Sequence, residues 1–147
     1  MDEPFGSLPT SLLPEELFGS HAEAFALVVS GPSGVGKTSI CKTVIERDDR
    51  INPIVTATTR PQREGEEDGV DYHFLSESQF DTLLSEGAFI EHASVHDSRY
   101  GTTKAAFAAA IESADIVLLN VNVQGAQAWR DVLSDRCVTL FVLPPSL

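Results

Sequence analysis

Residues Gly31–Thr38 read GPSGVGKT, a match to the pattern G-x-x-x-x-G-K-[ST]. Glycines let successive backbone N–H groups converge on phosphate oxygens. The stretch Gly31, Pro32, Ser33, Gly34, Val35, Gly36, Lys37 and Thr38 therefore predicts a loop that cradles the phosphates of a nucleotide. Lys37 supplies a point charge for the β- and γ-phosphates, and the Thr38 hydroxyl can face Mg²⁺. A glycine-rich turn with an exposed lysine is the plain alternative, and the flanking pattern weighs against it. Phe25–Ser30, FALVVS, is a short apolar run that reads as a buried strand. A helix is predicted from about Lys37 to Arg47, so its positive end would meet the phosphates.

A second stretch could hold phosphate. Thr56–Phe74 reads TATTRPQREGEEDGVDYHF, with Arg60 and Arg63 in an otherwise acidic loop. A monophosphate dianion suits guanidinium forks. Taken alone, however, such arginines are more often solvated or paired with Glu64, Glu66 or Glu67. Glu91 alone is one of many acids, and Tyr72 and Tyr100 alone are half-buried core tyrosines. His73, His92 and His96 follow no metal-ligand spacing.

The elements that must position these groups alternate along the chain. After the first strand and helix come a strand near Ile54–Ala57 and a polar loop, Arg60–Gly69. Asp71–Ser76 alternates like a short strand. Ser76 with Gln79 makes a capping-box pattern for a helix over 77–86, which Gly87 stops. Ala88–Val95 reads as a strand and Thr103–Ala114 as a helix. Asp115–Val123, DIVLLNVNV, reads as a strand whose alternation turns Asn120 and Asn122 to one face. A helix over 124–135 and a strand over Cys137–Leu143 follow, and Pro144 and Pro145 end the strand. Strands alternating with helices predict an α/β fold with a mostly parallel sheet flanked by helices. Residues 54–100 differ: short strands, polar loops and one helix suggest a small insertion. Residues 1–24, rich in Pro, Ser, Gly and acid, read as a mobile extension with one amphipathic turn at Leu12–Phe18.

Composition narrows the function. The 147 residues suffice for one domain with a sizeable core. A formal net charge of -12 disfavours a nonspecific nucleic-acid binder. Cys41 and Cys137 are far apart and read as small buried hydrophobes in a reducing cytosol. The first residues are acidic where a signal peptide needs basic ones, and no apolar run is long enough to span a membrane. The expectation is a cytoplasmic protein without nucleic-acid or membrane partners.

From about Phe25 to Leu147 the chain resembles guanylate kinases. GPSGVGKT, TTRPQREGEEDGVDYHF, GAFIEHASV, RYGTT and the closing FVLPPSL stand in that family's order and spacing. The resemblance implies a P-loop kinase fold with a core over 25–53 and 101–147 and a GMP-binding insertion over 54–100. It implies transfer of the γ-phosphoryl group of ATP to GMP with Mg²⁺, with Lys37 and Arg63 assisting transfer. Arg60, Arg63, Tyr72 and Tyr100 would hold the GMP phosphate, and Glu91 and Thr102 would read the guanine. Thr56 stands where the family commonly has serine and keeps the hydroxyl. The alternatives are a guanylate-kinase-like module that holds phosphopeptides, although such modules typically degrade the phosphate loop, and a nucleotide-binding relative with impaired catalysis.

The sequence departs from the family in two places. Acids are usual at the positions of Asn120 and Asn122, most consistently an aspartate at the second, which lies in the GMP site. An amide keeps the shape but holds a hydrated Mg²⁺ less well. The family also continues beyond the position of Leu147 into an arginine-rich lid and final helices. Without these the chain is expected to be weakly active or inactive.

Overall fold

The run Phe25–Ser30 forms strand β1 and takes parallel neighbours on both sides. The computed structural model describes residues 14–32, 35–121 and 123–145. They divide into two compact units. One comprises residues 55–107, and the other joins the segment up to Ile54 with the segment from Ala108.

In the second of these units, β1 pairs with β7 (Ile116–Asn120) and β8 (Cys137–Phe141), and β2 (Ile51–Pro53) flanks β7. All these pairings are parallel, in the order β2-β7-β1-β8. The central strands need apolar residues on both faces, and Ala26, Val28, Val29, Val117, Leu118 and Leu119 are buried. Helix α2 (Lys37–Arg47) lays Cys41, Val44 and Ile45 on Val29 and Leu118. Helix α5 (Val123–Leu133) packs against β1 and β8 and buries Trp129 and Leu133.

Two expectations are corrected here. The strand predicted through Val123 ends at Asn120, and Val123 is already helical. Asn120 is therefore an exposed strand terminus, and Asn122, the second amide of the predicted pair, lies outside the described residues. Residues 14–24 are packed rather than mobile. Helix α1 (Pro14–Phe18) buries Phe18 to 1% exposure. The Arg136 guanidinium stacks 4.0 Å from the Phe18 ring centroid and donates to the carbonyls of His21 and Ala24. The rest of the expected extension lies outside the described residues.

The other unit holds a mixed sheet in the order β4-β3-β6-β5. Its strands are β3 (Ala57–Thr58), β4 (His73–Phe74), β5 (Phe89–Val95) and β6 (Ser98–Thr103). The predicted strand near Ile54–Ala57 is thus two strands in different sheets: β2 ends at Pro53 and β3 starts at Ala57. Helix α3 (Glu77–Ser85) presses Phe80 against Ala57 and Phe89. Its capping box is formed as the sequence predicts, with Ser76 accepting from the Gln79 N–H and Gln79 accepting from the Ser76 N–H. Strand β6 was not expected. It pairs with β5 through a two-residue turn, His96 and Asp97, both at positive φ, the geometry of a type I′ hairpin. Residues 101–103, which the resemblance assigns to the core, belong to this sheet. Helix α4 (Lys104–Ser113) follows, capped by the Thr103 hydroxyl. Among the described residues, no helix is long and apolar enough to cross a membrane.

Candidate active site

The phosphate loop leaves β1 at its carboxyl end and enters α2. Gly31 lies at φ +149°, and a Cβ there would run into the carbonyl oxygen of Val142. That contact is fixed, because the Val142 N–H donates to the Ser30 carbonyl at 2.7 Å. Gly36, at φ +93°, is the N-cap of α2 and provides no side-chain cap; no acid sits in the first turn. The positive end of the helix is thus not spent on a carboxylate of its own. Lys37 opens the helix and its Nζ donates to the Val121 carbonyl at 3.3 Å. Desolvation pulls the Lys37 pKa down, with Cys41 opposing weakly. Thr38 and Pro32 are exposed and Val35 is half-buried, while Ser33 and Gly34 lie outside the described residues. Asn120 ends β7 opposite Val29 of β1, at the carboxyl edge of the same sheet, the edge where ligands bind in open α/β sheets.

In the mixed sheet, register decides which side chains meet. Thr58 pairs with Tyr100, Tyr100 with Ala93, and Glu91 with Thr102. Paired residues share a face, so Thr58, Tyr100, Thr102 and Glu91 project together, opposite the face that α3 covers. Regular alternation would send Phe89 and Glu91 to one side. A bulge between them breaks the register, pairing Phe89 with Thr103 and Glu91 with Thr102. Phe89 therefore packs on Phe80 while Glu91 is re-aimed to the opposite face. Glu91 is 5% exposed and Thr102 1%. The Thr102 hydroxyl donates to Glu91 Oε1 at 2.8 Å. Burial pushes the Glu91 carboxyl up to about 7, and the Thr102 bonds offset this only in part.

Beside that pair lies a cation in an aromatic setting. The Arg60 guanidinium carbon sits 5.1 Å from the Tyr72 ring centroid and 5.8 Å from that of Phe74. The Tyr72 and Tyr100 rings meet edge-on at 6.0 Å. Arg60 also forms a bidentate ion pair with Glu66, at 2.9 and 2.8 Å. This pairing is the plain reading that the sequence left open for an arginine in an acidic loop. It holds the Glu66 carboxyl down at about 2. Burial pushes the Tyr72 phenol up. Arg63 reaches the cluster through its backbone N–H, which donates to Glu66 Oε1 at 2.8 Å; its side chain is exposed. Thr56 contributes a backbone carbonyl that accepts from His73.

Several residues that build the site were not singled out by sequence. The buried Thr58 hydroxyl donates to the Arg99 carbonyl and accepts from the Arg60 N–H, which sets the arginine's backbone. The acids of the loop are structural ties: Asp68 accepts from the Phe74 N–H and Asp71 from the Glu67 N–H. The only signal was the density of acids around Arg60 and Arg63, which by itself suggests a solvated run. His73 and His96 are exposed, and burial lowers the His92 pKa. Among the described residues no group of three or more His, Cys, Asp or Glu could hold a metal.

A family model described as guanylate kinase matches residues 23–147. The chain belongs to the guanylate kinase family. It is 47% identical over 121 residues to a guanylate kinase of Clostridioides difficile, covering 82% of this chain and 58% of that protein. It is 43% identical over 119 residues to one from Alkalilimnicola ehrlichii, covering 81% and 58%. The crystal structure of guanylate kinase from Anaplasma phagocytophilum superposes with a TM-score of 0.71 at 32% identity, over 84% of this chain and 62% of that one. The chain thus spans a little under three-fifths of the length of these curated guanylate kinases. The fold is that of the P-loop kinases, a parallel sheet flanked by helices.

Proposed function

We propose that the protein transfers the γ-phosphoryl group of ATP to GMP, giving ADP and GDP. The observation that carries this reading is Glu91. A carboxylate that is almost wholly buried, with only the neutral hydroxyl and N–H of Thr102 as its partners, is costly unless a ligand supplies further donors. Guanine N1–H and N2–H₂ form such a donor pair, and adenine lacks it. Thr102 would fix the carboxylate and contact the base. On the same sheet face, Arg60, Tyr72 and Tyr100 would take the GMP phosphate, with Arg63 and the Thr56 hydroxyl joining them. Asn122 is assigned to GMP on its family position alone. The phosphate loop would hold ATP through its N–H groups and Lys37. The exposed Thr38 hydroxyl would be a neutral ligand for Mg²⁺, which would supply screening of the phosphate charge. Phosphoryl transfer asks for alignment and charge neutralisation rather than a nucleophilic side chain, so Lys37 and Arg63 would act as cations. A cytoplasmic setting, where both nucleotides are plentiful, suits the reading.

Asn120 favours a second reading, nucleotide binding with impaired turnover, because an uncharged amide ends β7 where the family usually has an acid. One assay separates the two. ADP production with Mg²⁺ should depend on GMP and not on AMP. Equal turnover with AMP would sink the guanylate kinase reading. GMP and ATP binding without turnover, relieved by Asn120→Asp, would establish the second.

A further inference from the structure

The Arg60–Glu66 pair holds more than a surface ion pair needs. The two side chains are only 12% and 20% exposed. Glu66 Oε1 bridges the Arg60 guanidinium and the Arg63 N–H, while Oε2 takes Arg60 Nη2. The Glu66 N–H returns to the Arg63 carbonyl, closing a turn with Gly65 at φ +85°. That is the third position of a type II turn, which favours glycine. The Gln62 side chain donates to the Glu66 carbonyl at 2.6 Å. Glu66 is therefore fixed at both its backbone and its carboxylate.

The consequence falls on the arginine. Glu66 takes one hydrogen from each Nη of Arg60, and the Pro61 carbonyl accepts from Nη1. A guanidinium carries five N–H groups in one plane. The Nε–H and the second Nη2–H are taken by neither Glu66 nor Pro61; with the Tyr72 and Tyr100 phenols in hydrogen-bond reach of the guanidinium, they form an adjacent edge that can grip a second bidentate acceptor. The Tyr72 and Phe74 rings restrict the plane's tilt. We infer that Glu66 is a positioning residue that holds Arg60 by one edge so that the other edge is presented to the phosphate of the bound nucleotide. The inference rests on the GMP reading for its ligand. Glu66 works as a brace and stays in place when the phosphate arrives.

The test is calorimetric titration of the 147-residue chain with GMP, guanosine and inorganic phosphate. Glu66→Gln should weaken GMP and inorganic phosphate by roughly tenfold or more, the loss of a charge-assisted bond felt through Arg60, and leave guanosine unchanged. In an Arg60→Ala background it should add nothing. GMP binding by Glu66→Gln equal to or tighter than wild type would overturn the inference, making Glu66 a bystander or a competitor. An equal loss of guanosine would also overturn it, reducing Glu66 to support of the loop. If the wild type binds inorganic phosphate but neither GMP nor guanosine, the GMP reading fails, and the phosphate arm still decides the role of Glu66. Absence of phosphate binding by the wild type overturns the inference.

Discussion

In the parallel sheet the candidate site is made largely of main chain. Gly31 passes against the Val142 carbonyl, Gly36 opens a helix without a cap, and Lys37 is the one charged side chain pointing from the loop's end. In the mixed sheet it is made of side chains, each held by another: Thr102 on Glu91, Glu66 on Arg60, Thr58 on the Arg60 backbone. The first kind of site tolerates no added atoms and needs few orienting bonds. The second accepts changes of shape but depends on its supports. Their vulnerabilities should therefore differ in kind.

The harshest test of that contrast is Gly31→Ala. Its methyl group would meet backbone that cannot retreat, so a loss of stability of about 3 kcal/mol or more is expected in thermal or urea unfolding. A stable variant would show that the loop is less fixed than its contact with Val142 implies. Lys37→Met should follow, lowering ATP affinity roughly tenfold to a hundredfold with GMP affinity intact, as read by nucleotide titration. Equal losses of both ligands would break the separation between the two sites.

The Glu91 carboxyl offers a milder and more diagnostic test. The folded protein keeps its proton until about pH 7, whereas an unperturbed glutamate gives it up near 4.5. The contribution of this group to stability is therefore full below 4.5 and is lost as pH rises through 7. Glu66, held down at about 2, acts in the opposite direction and only in acid: its stabilisation is lost as pH falls from 4.5 through 2. Stability measured between pH 5 and 8 should fall in the wild type and flatten in Glu91→Gln. Guanosine affinity should rise with pH through 7 in the wild type, because guanine needs the ionised acceptor, and should be pH-independent in the variant. Superimposable pH profiles for the two proteins would remove Glu91 from the site. The smallest effect tests a support remote from either ligand. Ser76→Ala removes the α3 cap and should reduce stability by about 1 kcal/mol without altering either affinity.

The same contrast governs what could be read from the sequence. The phosphate loop was legible because its demands are local: glycines, a lysine, a strand before and a helix after. The α3 capping box was legible for the same reason. Strand β6 was not, since its turn uses His96 and Asp97 in place of the Asn-Gly that usually signals two left-handed residues. The end of β7 at Asn120 was missed because Val121 and Val123 continue an apolar alternation that the chain abandons to start α5. The packing of residues 14–24 depends on Arg136, more than a hundred positions away, and no local pattern announces it. Glu91 was visible only through the family resemblance, because a buried acid and a surface acid are the same letter. The bulge that distinguishes them belongs to a pair of strands.

The Arg136 contacts also bear on the order in which the chain acquires its structure. Strand β1 has β8 as one neighbour, and the residues before β1 wait for Arg136, so both lie open until residues 136–141 have been made. The β5–β6 hairpin closes over two residues and needs nothing distant. Local contacts form early and long-range pairings late. During refolding, pulse-labelled hydrogen exchange should find the amides of Phe89–Val95 protected before those of Phe25–Ser30. Simultaneous protection would mean that the two sheets form in one cooperative step.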